Sequence, residues 1–173
     1  MIELKRIQHP DNAEFVMLME LYESAFPQEE RRDIDQLALL LETEDRMYFN
    51  AIYHDGNLSG IFVYWNLGDF WYLEHLAIYP LLRNHKIGQQ VLDWTADHLK
   101  GLRLLEAEPA VEELPTRRIH YYERNGFTVC DKAYHQPPYR KGGKGIDLWV
   151  LCTETPADLP SKLSTLKQVV YGC

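Results

Sequence analysis

The chain has 173 residues, with 26 acidic and 18 basic side chains, a net charge of −8 and a hydrophobic fraction of 46%. That length builds one domain with a real core, and no apolar run approaches the roughly 18 residues of a membrane span, so a soluble protein without a membrane partner is expected. The acidic balance argues against a nucleic-acid surface, which needs a broad basic face, and suits a small cationic substrate.

Taken in chain order, Ile2 to Ile7 reads as an opening strand, and His9-Pro10-Asp11-Asn12 breaks it before a helix carrying Phe15, Leu18, Met19, Tyr22 and Phe26 at helical spacing. Pro27 ends that helix. A polar run from Gln28 to Asp33 leads to a second helix marked by Ile34, Leu37 and Leu41. From Met47 the period changes to two: Met47 to His54 and Leu58 to Asn66 make a hairpin across Asp55-Gly56-Asn57, and Asp69 to Ile78 adds a third strand, an antiparallel meander.

Ile87, Val91, Leu92 and Leu99 then mark a helix of about 13 residues, followed by a strand from Leu102 to Glu108. A strand, helix, strand crossover of this kind gives a parallel pair. Pro115 and Gly126 frame a short helix containing Ile119 and Tyr122. Phe127 to Tyr134 and Ile146 to Thr153 are the last strands, separated by the basic loop Pro137 to Gly145, which reads as a mobile solvated connection. After Pro156 and Pro160, Leu163, Leu166 and Val170 mark an end helix that packs either on its own domain or on a second subunit, so a homodimer stays open. The expected division is one domain over residues 1–153 and a tail over 154–173.

Cys130, Cys152 and Cys173 are odd in number and lack Cys-x-x-Cys spacing, so neither a disulfide framework nor a metal site is expected. Cys130 and Cys152 read as small core residues in strands. Met1 to Arg6 lacks the features of a secretory signal, which makes the cytoplasm the expected location.

The most informative segment is Arg83-Asn84-His85-Lys86-Ile87-Gly88, which sets three potential cations at a helix start directly after the strand ending in Ile78. A helix start is electropositive and carries unpaired N–H groups, so clustered cations there are unfavourable unless an anion, most simply a phosphate, occupies the site. Farther on, Tyr121-Tyr122-Glu123-Arg124-Asn125-Gly126-Phe127 joins an aromatic pair to a Gly-Phe step. In this order, and with the strand Leu73 to Ile78 before them, the two segments resemble the signatures of the GNAT superfamily of acetyl-CoA-dependent N-acetyltransferases. The match to the pyrophosphate loop falls on Arg83 and Gly88, and Lys86 stands where the family has its first glycine.

The resemblance implies an α+β fold with a central, mostly antiparallel sheet, a splayed parallel pair and flanking helices. It implies acetyl-CoA as co-substrate, with no metal, and a small-molecule or peptide amine as acceptor. The loop of Arg83, Asn84, Lys86, Ile87, Gly88 and Gln89 would hold the pyrophosphate through backbone N–H groups. Ile78 would pair its backbone with the pantetheine arm, and the Leu76 N–H would face the acetyl carbonyl. Tyr122 aligns with the tyrosine that protonates the departing sulfur, or else it is a buried tyrosine packing its helix.

Glu74 is a carboxylate on an apolar strand: either it accepts the amine proton, directly or through water, or it forms an ion pair with Arg117 or Arg118. Glu106 and Glu108 share a strand face and could bind a cation or the same arginines. His75 alternates away from Glu74 and reads as a satisfied histidine, and Trp65, Trp71, Tyr72 and Tyr134 are core or pocket-wall aromatics. No Cys or Ser lies in the two signatures, so the expected reaction is direct transfer in a ternary complex. A coenzyme A-binding domain that has lost transfer and serves regulation or assembly is the alternative, with Lys86 as its sequence argument.

Overall fold

The computed structural model describes residues 1–173, in seven strands and five α-helices. They are β1 (Ile2–Arg6), α1 (Ala13–Ala25), α2 (Ile34–Thr43), β2 (Met47–His54), β3 (Asn57–Asn66), β4 (Trp71–Ile78), α3 (Ile87–His98), β5 (Arg103–Ala107), α4 (Glu113–Arg124), β6 (Thr128–Gln136), β7 (Ile146–Cys152) and α5 (Leu159–Tyr171). The sheet order is β1-β2-β3-β4-β5-β7-β6, and only the β4–β5 pair is parallel. This is the mixed α+β arrangement expected. Short 3-10 turns at Gln28–Glu30 and Pro80–Leu82, unforeseen because three residues carry no period, complete the chain.

The chain divides into two compact units, residues 1–66 with 74–100 and residues 67–73 with 101–173. In the first, the Asn12 side chain accepts from the N–H groups of Glu14 and Phe15 and so fixes where α1 begins. Asp55 and Gly56, both at positive φ, close the β2–β3 hairpin in the two-residue turn that matches strand twist. Phe15, Leu18, Tyr22, Leu37, Phe49, Ile52, Ile61 and Trp65 form the buried core. Gly60 is needed where it stands, because a Cβ there would lie 2.1 Å from the Ala77 carbonyl oxygen. That contact sets how closely β3 and the end of β4 approach.

In the second unit Leu104, Leu105, Val150, Leu151, Ile119, Phe127 and Leu166 are buried. The end helix α5 packs inside this unit, since Leu166 is fully buried and Tyr171 donates to Glu106 at 2.6 Å. The 137–145 loop packs on its own strands at Tyr139 and at the Lys144 carbonyl, while residues 141–144 are exposed, as a solvated connection requires. Tyr139 is buried against Tyr171, and the His135 ring bonds the Lys144 carbonyl at 2.9 Å and the Asp147 carboxylate at 2.8 Å. Gly145, at φ 73, leaves no room for a side chain beside the Gln136 carbonyl. No helix is long and apolar enough to cross a membrane, and no group of three His, Cys, Asp or Glu is placed to hold a metal ion.

Candidate active site

The parallel ladder between β4 and β5 covers only Trp71↔Arg103, Tyr72↔Leu104 and Leu73↔Leu105, and it ends there. Beyond it, Glu74, Leu76 and Ile78 are each partly exposed. At Glu74 the exposed part is main chain, because its side chain is 0% accessible. A strand edge with open N–H and C=O groups accepts another extended chain. Leu76 and Ile78, read from the sequence as binding through their backbones, both lie on this stretch.

Ile78 leads through the Pro80–Leu82 turn into the phosphate-type loop, where Asn84 takes φ 67 and Lys86 φ 60. Lys86 caps α3 in the left-handed conformation. That explains the family glycine at this position: a left-handed backbone is cheap for glycine and costs a side chain roughly 1–2 kcal/mol. The lysine keeps the turn and carries the strain. Arg83, Asn84, His85 and Lys86 are all exposed, and the Arg83 Nε donates to the Ile78 carbonyl at 3.2 Å.

Within α3 the first helical return bond runs from the Gln90 N–H to the Lys86 carbonyl, so the N–H groups of Ile87 and Gly88 have no helical acceptor. A Cβ on Gly88 would meet nothing within 4 Å. The chain's own packing therefore does not require glycine there, and the space over the helix start is open. Exposed cations, first-turn N–H groups and an open glycine together fit a diphosphate.

Beneath the β4 edge lies a buried polar cluster. Glu74 Oε2 receives Arg32 Nη1 at 2.7 Å, Glu74 Oε1 receives Trp65 Nε1 at 2.8 Å, and the Arg32 side chain is only 4% accessible. The Arg32 N–H donates to the Tyr22 hydroxyl at 2.9 Å, and burial pushes that phenol up to about 12. On the other face of β4, His75 is buried against Phe26 and Tyr22 and donates its Nε2 proton to the Glu30 carbonyl at 2.8 Å, which fixes the tautomer because a carbonyl only accepts. Burial holds its imidazole below the ordinary range.

The ion-pair partner read from the sequence is thus corrected. Glu74 pairs with Arg32, whereas Arg117 meets Glu113 at 3.7 Å and Arg118 meets Glu108 at 3.9 Å. Arg32 escaped notice because it sits in a polar run, 42 residues before its partner, where no spacing rule points to a strand.

In the second unit Tyr122 lies in the last turn of α4, half-buried, with its ring 6.0 Å from Phe127 and 5.7 Å from Tyr121. Its carbonyl accepts from Asn125 and Phe127, and Gly126, at φ 90, turns the chain there. Burial raises the phenol and the Arg118 charge opposes that shift. Glu106, on β5, is enclosed by Tyr72, Tyr171 and Gln136, all donating to Oε1, and by the phenol of the buried Tyr134. Burial raises its carboxyl against the donors around it. Trp65 and Tyr72 are thus core residues with polar ends engaged, not bare walls.

The description of an acetyltransferase (GNAT) family matches residues 15–127. A structure of a chain from Bacteroides thetaiotaomicron placed in the same family is 32% identical, with 99% of each chain covered and a TM-score of 0.93. At fold level the chain is also similar to the ribosomal-protein-S18-alanine N-acetyltransferase of Escherichia coli, at 15% identity, 91% and 97% coverage and a TM-score of 0.62. The PaiA N-acetyltransferase of Thermoplasma acidophilum, solved in complex with coenzyme A, aligns at 16% identity, 88% and 98% coverage and a TM-score of 0.56. No curated protein matches the sequence. The chain belongs to the acetyltransferase (GNAT) family, whose members are acyl-CoA-dependent N-acetyltransferases.

Proposed function

We propose that this acetyltransferase moves the acetyl group of acetyl-CoA to a primary amine by direct transfer in a ternary complex. One observation carries the reading: the main-chain edge of β4 opens at Glu74 and runs through Ile78 into a left-handed loop and the start of α3. Acetyl-CoA supplies an activated thioester and an anionic diphosphate. The loop from Arg83 to Gln89 binds the diphosphate through first-turn N–H groups, with the exposed cations of Arg83 and Lys86 adding charge. Ile78 pairs its backbone with the pantetheine arm, and the Leu76 N–H donates to the oxygen where negative charge develops.

Tyr122 gives its proton to the departing sulfur. A phenol whose ionisation is opposed by burial remains protonated at neutral pH and is available as an acid. Glu74 is the acceptor of the amine proton in this reading, directly or through water, once substrate binding frees an oxygen from the Arg32 and Trp65 contacts that hold it in the free protein. With no Cys or Ser in either signature, no acetylated enzyme is invoked. Occupation by cytosolic acetyl-CoA would place the protein in the cytoplasm, and the acceptor is a small-molecule or peptide amine.

The test is thiol release from acetyl-CoA against a panel of primary amines, with products identified by mass. Amine-dependent release with a matching acetylated amine is expected. Binding of acetyl-CoA with no release across alkylamines, polyamines, aromatic amines and peptide α-amines would instead favour a coenzyme A-binding domain without transfer.

A further inference from the structure

The strands that follow Tyr122 bring together two thiols that the reaction does not use. Cys130 and Cys152 are 22 residues apart in sequence, yet their Sγ atoms stand 2.7 Å apart, well inside the ordinary contact distance of two sulfurs. The cause is the ladder between β6 and β7. Thr128 faces Cys152 and Val129 faces Leu151, but the next pair is Asp131 with Val150, so Cys130 is an extra residue in a bulge. A bulge re-aims its side chain. Here it turns the Cys130 thiol across to the neighbouring strand, where it also donates to the Val150 carbonyl at 3.4 Å.

We propose that Cys130 and Cys152 form a cross-strand disulfide, closed by exchange with a low-molecular-weight disulfide. The two residues are not directly opposed, Cys152 facing Thr128, and it is the bulge that brings their sulfurs within reach of a bond. The two thiols differ in the way exchange needs. Cys130 is half-buried and reachable, and the hydrogen bond from Cys152 holds its thiol below the ordinary range, whereas Cys152 is sealed and raised by that same contact and by burial. The thiolate is the attacking form.

In the first step Cys130 Sγ attacks one sulfur of the small disulfide, its S–S bond breaks and one thiolate leaves. Cys152 Sγ then attacks Cys130 Sγ, and its proton passes to the second sulfur as that leaves as a thiol. The protein loses two hydrogens, and one small disulfide becomes two thiols. Closure tethers the start of β6, which follows Phe127 and hence the ring packed on Tyr122, to the end of β7.

The full chain is equilibrated with oxidised glutathione, trapped with N-ethylmaleimide and mapped by peptide mass spectrometry. The expected result is a joined peptide pair carrying Cys130 and Cys152, lighter by two hydrogens, with maleimide labelling of Cys130 reduced at least about tenfold from the reduced protein. Cys173, which is exposed and has no neighbouring thiol, carries glutathione or maleimide in the same sample. Oxidised protein in which Cys130 holds a lasting glutathione adduct while Cys152 remains a thiol would overturn the proposal, as would two free thiols throughout. Cys130→Ser should abolish the joined pair and leave Cys152 unmodified until the chain unfolds. Because the wild-type map decides the question alone, the proposal does not depend on that variant folding.

Discussion

Glu74 and Glu106 are both strand carboxylates withdrawn from water, and the chain neutralises them in opposite ways. In the first unit a guanidinium and an indole take one oxygen each of Glu74. In the second, only neutral donors surround Glu106, three of them on one oxygen and the Tyr134 phenol beside them, and burial raises the group. A cation fixes charge and geometry together, and Arg32 does so directly under the strand edge proposed to hold the acyl donor. Neutral donors leave the proton to do part of that work. The first arrangement gives a rigid β4, and the second makes stability answer to pH.

The largest way to break this contrast is to remove the cation. Arg32→Met leaves Glu74 as a buried charge without its cation, and a loss of about 3–5 kcal/mol in urea unfolding is expected. Adding Glu74→Gln to the same chain should recover most of it, because the uncompensated charge is then gone. A single variant no less stable than wild type would mean that the pair does not hold β4.

Next in size is Tyr122→Phe. Removing the proposed acid should lower kcat by roughly 10²-fold or more while the calorimetric Kd for acetyl-CoA stays unchanged. Unchanged turnover would return Tyr122 to a packing role against Phe127.

The smallest effect sharpens the Glu106 side. A carboxyl raised in the folded state binds its proton more tightly there than in the unfolded chain. Its cost is therefore absent below the ordinary carboxylate range, grows as pH rises through that range, and levels off above the raised value. Glu106→Gln removes this dependence by replacing the titrating carboxyl with a neutral amide of the same shape. A gain of about 1 kcal/mol at neutral pH, shrinking toward acid pH, is expected from paired unfolding curves. A pH-independent difference would contradict the reading.

What could be read from the sequence was what local chemistry decides. Asp55-Gly56 turned the hairpin because both residues accept positive φ, Pro27 ended α1, and the Arg83 to Gly88 segment sits at a helix start as its cations and glycine implied. The strain at Lys86 is the local cost of departing from glycine, and the residue's place in the motif pointed to it. What could not be read depends on partners distant in the chain. Arg32 reaches Glu74 across 42 residues, Tyr171 reaches Glu106 across 65, and the two thiols meet only because a bulge shifts the β6 register. The 137–145 loop is partly of this kind. Its middle is exposed as its composition implies, and the Tyr139 and His135 contacts that hold its ends are ones no spacing rule supplies.

The most direct test of the account is amide hydrogen exchange with and without acetyl-CoA, read segment by segment. Slowed exchange over residues 74–78 and 83–89, with little change in β1 and β2, is the result predicted. Tight acetyl-CoA binding with unchanged exchange in both segments would show that the donor lies elsewhere, and the assignment of the β4 edge and the α3 start would be wrong.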